Sequence, residues 1–191
     1  CAGTSVTLID PGSIRNFPSY LASFSEQIAL ERVNRIILTS ANVAATCSLS
    51  LWLQVLPNNI QVLVPIEACA ILRHLNQETD FKTIASNGED LTLEDGSILT
   101  FISTKQLNNS VSLTIYDNYS RTLYSGTIGQ NSADISTSDA PFFPDFRKDL
   151  PSIMKTHGSL FPNRGAREQW VGLVKKIDLD FIAPLTGACM R

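Results

Sequence analysis

The feature that most constrains this chain is a change of rhythm near its middle. Ser5–Ile9 reads as a strand closed by the turn Asp10-Pro11-Gly12-Ser13. From Phe17 to Val33, apolar residues at Tyr20, Leu21, Phe24, Ile28 and Ala29 recur at helical spacing. A short strand, Arg35–Leu38, comes next, and then a small, polar stretch, Thr39–Thr46. Leu49–Val55 reads as a helix stopped at Pro57, Gln61–Val64 as a β-branched strand and Ile66–Leu75 as a helix. Such β-α-β-α-β alternation predicts an α/β layered arrangement for the first half.

Beyond residue 89 the spacing shortens. Asp90–Leu93, Ile98–Ser103, Val111–Tyr116 and Thr122–Ser125 read as strands separated by turns such as Glu94-Asp95-Gly96 and Asp117-Asn118. Val111, Leu113 and Ile115 alternate with Ser112, Thr114 and Tyr116, the period of a sheet with one buried face. An antiparallel meander is expected here. Gln130–Asp139 is a polar loop of low complexity, after which Asp145–Thr156 and Ala166–Ile177 read as helices and Phe181–Ala183 as a closing strand. No internal repeat and no linker divides the chain, so a single domain spanning residues 1–191 is expected.

With 191 residues, 43% of them hydrophobic, the chain can bury a core without disulfides or metal. A net charge of −3 leaves no basic footprint for nucleic acid. No apolar run approaches the ~20 residues that span a bilayer, and no signal peptide is recognisable. Cys1, Cys47, Cys69 and Cys189 are scattered without a short regular spacing, which favours reduced thiols and a cytoplasmic setting over a disulfide framework. Cys1 at position one would suit a lipoprotein anchor, but a strand follows almost at once. A domain excised from a longer chain fits better.

Five pieces of sequence, in order, carry a resemblance. LIDPGS (Leu8–Ser13) looks like the entry strand and turn of the metallo-β-lactamase superfamily. LTLEDGSILTFIST (Leu91–Thr104) resembles the strand pair leading toward its second histidine, and LTIYDNYSRTLYSG (Leu113–Gly126) the hairpin leading to its bridging aspartate. KTHGSLFPNRGAREQW (Lys155–Trp170) and KIDLDFIAPLTG (Lys176–Gly187) look like its closing helices and terminal loop. Together they resemble the flavodiiron proteins and the related oxygen-binding diiron domains of bacterial sensors. The resemblance implies an α/β fold, the αββα sandwich of that superfamily. The family normally has a further hairpin before LIDPGS. Without it, one sheet edge would need another cover.

The resemblance also implies where metal ligands should stand. The family holds two metals with a His-x-Glu/Asp-x-Asp-His run, then a histidine, a bridging aspartate and a final histidine. Set on Leu38–Thr46, the run puts Ser40, Asn42, Ala44 and Ala45 at its ligand positions; the later three fall on Asn108, Thr127 and Thr186. A slip of one residue at Asn108 or Thr127 brings in no histidine or carboxylate. Iron or zinc needs imidazole nitrogens and carboxylate oxygens at about 2 Å, and paired cations need anionic ligands to neutralise them. Serine, threonine and asparagine are neutral, weak donors. The expectation is no metal, no cofactor, and none of the hydrolysis or dioxygen chemistry that metals support.

Other chemistry-bearing residues have duller readings. His74, beside Arg73 and Asn76 at a helix end, reads as solvated, and His157, before Gly158, as a structural hydrogen-bonding group. Cys47 would be a redox thiol only if a helix N-terminus activated it; a buried inert thiol is the simpler reading. The turn chemistry of Asp10-Pro11-Gly12 explains Asp10 without catalysis. Arg164, Arg167 and Trp170 share a predicted helix and read as a solvated face with one core aromatic, the alternative being a partner surface. There is no G-x-S-x-G elbow and no glycine-rich phosphate loop.

The resemblance with its lost ligands implies a non-catalytic regulatory domain of a bacterial signalling protein, with chemotaxis or cyclic-dinucleotide output. Such a domain would act by dimerisation, through a fused output domain, or by binding a small molecule in the pocket the ligands once lined. Neither nucleic acid nor membrane is expected as a partner. The alternatives are a purely structural interaction scaffold and, last, a metal-independent enzyme using Cys47 or a serine.

Overall fold

The computed structural model describes residues 5–75, 77–85, 89–104, 107, 112–131, 141–143 and 145–191. The chain is a mixed α/β protein with two sheets, organised as two compact units, Cys1–Ser86 and Asn87–Arg191.

The first unit is a four-stranded sheet in the order β1-β2-β3-β4, formed by Val6–Ile9, Val33–Ile37, Gln61–Pro65 and Phe81–Ile84. Every pairing is parallel. Parallel neighbours need crossovers, and these carry α1 (Phe17–Gln27), α2 (Val43–Thr46), α3 (Leu49–Val55) and α4 (Ile66–Leu75). Ile36 and Ile37 on β2, and Val62 and Val64 on β3, are all buried, as expected of central parallel strands covered on both faces. Trp52 of α3 is buried too, with the rings of Phe17 and Phe24 edge-on to it at 5.3 and 5.7 Å. Its indole N–H donates to the carbonyl of Pro11 at 3.1 Å, which ties α3 to the turn after β1.

Three local readings of this half are corrected. The helix expected over Phe17–Val33 ends at Gln27; Ile28 is extended, and Leu30–Arg32 is a single 3-10 turn. Strand β2 therefore starts at Val33, two residues before the apolar run suggested, because Val33 pairs with Val6 across the sheet. Pairing energy overrides the helical spacing of Ile28 and Ala29. Strand β4 gave no signal. Phe81 and Ile84 are buried while Lys82 and Thr83 between them are exposed, so no period of two exists to be read.

The second unit is a five-stranded sheet in the order β5-β6-β7-β8-β9, from Asp90–Thr92, Ile98–Ser103, Leu113–Asp117, Thr122–Gly126 and Phe181–Pro184. The first four strands are the expected antiparallel meander, and β9 adds parallel to β8. The expectation of one buried face fails at β7. Leu113 and Ile115 are buried, but so are Thr114 and Tyr116. β7 is the central strand, and the Tyr116 hydroxyl on its second face donates to the carbonyl of Asp178 at 2.6 Å. Polar residues are tolerated there because they find partners.

Two helices complete this unit. α5, Phe146–Leu160, opens at Asp145, whose side chain accepts from the Arg147 N–H, and runs four residues past the predicted end. α6, Arg164–Val174, is capped by Asn163, whose side chain accepts from the Ala166 N–H. Leu107, Phe161 and Ala166 form a small buried cluster, with Ile128 and Trp170 packed against it. Among the described residues, no helix is long and apolar enough to cross a membrane.

Candidate functional site

The candidate residues of the first unit lie in the segment that leaves β2. Asp10, at the end of β1, sits at a φ of +48°, and its backbone N–H donates to Ile37. Its carboxylate accepts from the backbone N–H of Thr39 at 2.8 Å and from the Thr39 hydroxyl at 2.6 Å. Burial raises the Asp10 carboxyl and the two bonds from Thr39 lower it, for a net value of about 6. The turn reading of Asp10 is thus incomplete. The residue also clamps the ends of two neighbouring strands.

Ser40, Asn42, Ala44 and Ala45 follow from this clamp. The Ser40 hydroxyl accepts from the Asn42 N–H at 3.2 Å, and the Asn42 side chain accepts from the Ala44 N–H at 2.9 Å as the cap of α2. Ala44 is exposed. Ala45 is fully buried, and its carbonyl accepts from the Gly12 N–H at 2.9 Å. Cys47 ends α2 rather than beginning a helix, and its sulfur accepts from the Ile14 N–H at 3.4 Å. Cys47, Cys69 and Cys189 are free thiols.

In the second unit, taken by itself, Thr127 and Thr186 stand on adjoining loops. The Leu185 N–H donates to Gly126 at 2.7 Å, and the Asn131 N–H donates to Thr186 at 3.2 Å. Asn131 staples the two loops together. Its amide nitrogen donates to the carbonyls of Gly129 at 2.8 Å and Ala188 at 3.1 Å, and its amide oxygen accepts from the Ala188 N–H at 2.9 Å. Gly187 is required beside it, because φ is +93° and a β-carbon would collide with Asn131. Asn108 lies outside the described residues.

The remaining candidates separate cleanly. His157 is structural: its Nε2 accepts from the buried Gly129 N–H at 3.0 Å, which requires the neutral ring with its proton on Nδ1. Burial holds its pKa below the ordinary value, against the nearby Gln130 carbonyl, which favours the charged form. His74 is exposed near the end of α4. Arg164 pairs with Glu168 at 2.8 Å, Arg167 donates to the carbonyl of Phe161 at 2.7 Å, and Trp170 is half-buried.

Comparison with known proteins gives this arrangement a family. Residues 1–187 match the family described as ODP family beta lactamase. The chain belongs to that family. Among solved structures, the apo state of the chemotaxis sensor ODP from T. denticola has a TM-score of 0.85 at 23% identity, over 98% of this chain and 76% of that one. A fragment of the putative diflavin flavoprotein A 5 from Nostoc sp. PCC 7120 has a TM-score of 0.83 at 19% identity, over 99% of this chain and 73% of that one. A flavoprotein from Thermotoga maritima has a TM-score of 0.84 at 14% identity, over 98% of this chain and 46% of that one. No curated protein sequence matches. The fold of this ODP-family chain is metallo-β-lactamase-like, as the five sequence pieces implied.

A peroxy diiron species is described for the chemotaxis sensor ODP. The residues that the sequence resemblance sets at the family's ligand positions do not fit such a pair of irons. Asn42 has its side-chain oxygen committed to capping α2, the Ser40 hydroxyl is engaged with Asn42, and the two alanines offer no donor atom. Thr127 and Thr186 are neutral hydroxyls that bring no negative charge. Among the described residues, no group of three or more histidine, cysteine, aspartate or glutamate side chains is gathered to hold a metal.

Proposed function

We propose that this chain is a non-catalytic sensory domain of the ODP family. In this reading it is a pseudo-enzyme that keeps the scaffold without the diiron chemistry. One observation carries it. Ser40, Asn42, Ala44, Ala45, Asn108, Thr127 and Thr186 are the residues that the sequence resemblance aligns with the family's ligands, and all are neutral. The chemotaxis sensor among its structural neighbours supports a sensory role. Stripped of ligands, the scaffold acts through a bound small molecule or through self-association. The output belongs to a fused module of a cytoplasmic signalling protein, of the chemotaxis or cyclic-dinucleotide kind.

Metal content is the direct test. After incubation with iron or zinc and removal of free metal, mass spectrometry is expected to find less than about a tenth of an equivalent bound, given the donor set. One or two equivalents would overturn the reading and reassign the site.

A further inference from the structure

An apolar groove runs between α5 and α6 of the second unit, with a volume of about 730 Å³. Phe146, Leu150 and Met154, one helical turn apart on α5, form one wall; Trp170 and Val171 of α6 form the other, and Ile182 of β9 contributes the floor. The volume lies within the range of small-molecule pockets, roughly 300–1,000 Å³. Apolar side chains are left open along it: Met154 is 63% exposed and Val171 41%. Exposed apolar surface gathered in one concavity marks a binding site more often than scattered residues do.

Two observations indicate what the groove takes. The first is charge. Two arginines, Arg164 and Arg167, line the groove against one carboxylate, Glu168, which pairs with Arg164. Arg167 lines the groove itself, and a guanidinium has five N–H donors of which the Phe161 carbonyl takes one. The second is Trp170. Its indole Nε1 is buried without a hydrogen-bond partner among the described residues. An unpaired buried donor costs about 1–3 kcal/mol, a cost that an acceptor carried by a ligand would offset.

We infer that this groove binds a single-chain hydrophobic carboxylic acid of the fatty-acid class, its alkyl chain along Phe146, Leu150 and Met154 and its carboxylate toward Trp170 and Arg167. The site is contained in the second unit and does not rest on the sensory reading, since it stands whether or not the protein binds metal.

The test is a titration of ¹⁵N-labelled protein with decanoate below its micelle concentration, with decanol as the uncharged control. The two tryptophans give two indole signals, assigned with Trp170→Phe. Decanoate is expected to shift the Trp170 signal to a saturating end point while Trp52, already bonded to Pro11, stays in place. Decanol should bind about tenfold more weakly, the worth of a charge-assisted contact. Met154→Glu puts a like charge in the wall at an exposed position, and should abolish binding with an unchanged circular dichroism spectrum. A non-saturating shift, equal affinity for acid and alcohol, or binding that survives Met154→Glu in the folded protein would each overturn the assignment.

Discussion

Asp10 accepts two hydrogen bonds from one residue, Thr39, through different carboxylate oxygens, and so joins the end of β1 to the end of β2. The geometry suits an ionised carboxylate, but burial works against the charge, and the balance leaves the pKa at about 6.

That balance predicts a pH signature. A carboxyl raised from 3.8 to about 6 on folding binds more protons in the native state than in the unfolded chain. Its contribution to stability is fully present below the unfolded value and is lost as pH rises through about 6. Asp10→Asn removes the charge and keeps an acceptor for the Thr39 N–H. In urea denaturation at pH 4.5 and pH 7.5, the difference between wild type and Asp10→Asn should move toward the variant at the higher pH by about 2 kcal/mol, at 1.36 kcal/mol per unit, the unfolded carboxyl being largely ionised already at pH 4.5. A difference that stays constant with pH would show that Asp10 is solvated.

His157 predicts the opposite slope. Its pKa is lowered on folding, so the unfolded chain takes up the proton first as pH falls. Stability linked to this ring is present above about 6.5 and declines with acidification. His157→Leu leaves the buried Gly129 N–H without its acceptor and should lose about 1–3 kcal/mol at pH 7.5. His157→Gln, able to accept, should lose less. Equal losses in the two variants would assign the effect to packing alone.

Asn131 predicts how the Thr127 and Thr186 loops are held. Asn131→Ala deletes three side-chain hydrogen bonds to Gly129 and Ala188 and should cost about 2–4 kcal/mol. Gly187→Ala should cost a similar amount, since it adds an unfavourable φ to a collision with the same side chain. Hydrogen exchange at Ala188 should quicken in both variants, ahead of exchange in β7. Unchanged protection would mean the loops are held by other contacts.

Much of the fold was legible in local pattern. Leu49–Val55 and Ile66–Leu75 emerged at their observed limits because apolar spacing, Pro57 and the flanking strands agree with one another. The meander was legible because turn residues such as Asp95-Gly96 separate strands of clear alternation. β4 was not, because Phe81 and Ile84 bury opposite ends of a strand whose middle is exposed, and only pairing with β3 makes it one. Of the candidate site, the identities of the residues at the ligand positions could be read directly. Their hydrogen bonds could not. Asn131 lies in a polar loop and carries no motif, yet it organises the neighbourhood of Thr127 and Thr186 through a partner 57 residues away.

Residue identity alone carries the expectation about metal chemistry, because neutral serine, threonine, asparagine and alanine side chains bring no anionic ligand to a pair of cations in any geometry. The order of elements follows from periodicity and turn chemistry, which act over a few residues at a time. Everything that depends on long-range approach came from the folded chain: the Asp10–Thr39 clamp, the neutral ring of His157, the unpaired indole of Trp170 and the groove beside it. Solvation and hydrogen-bond partnership are properties of a place in space, and residues far apart in sequence create that place together.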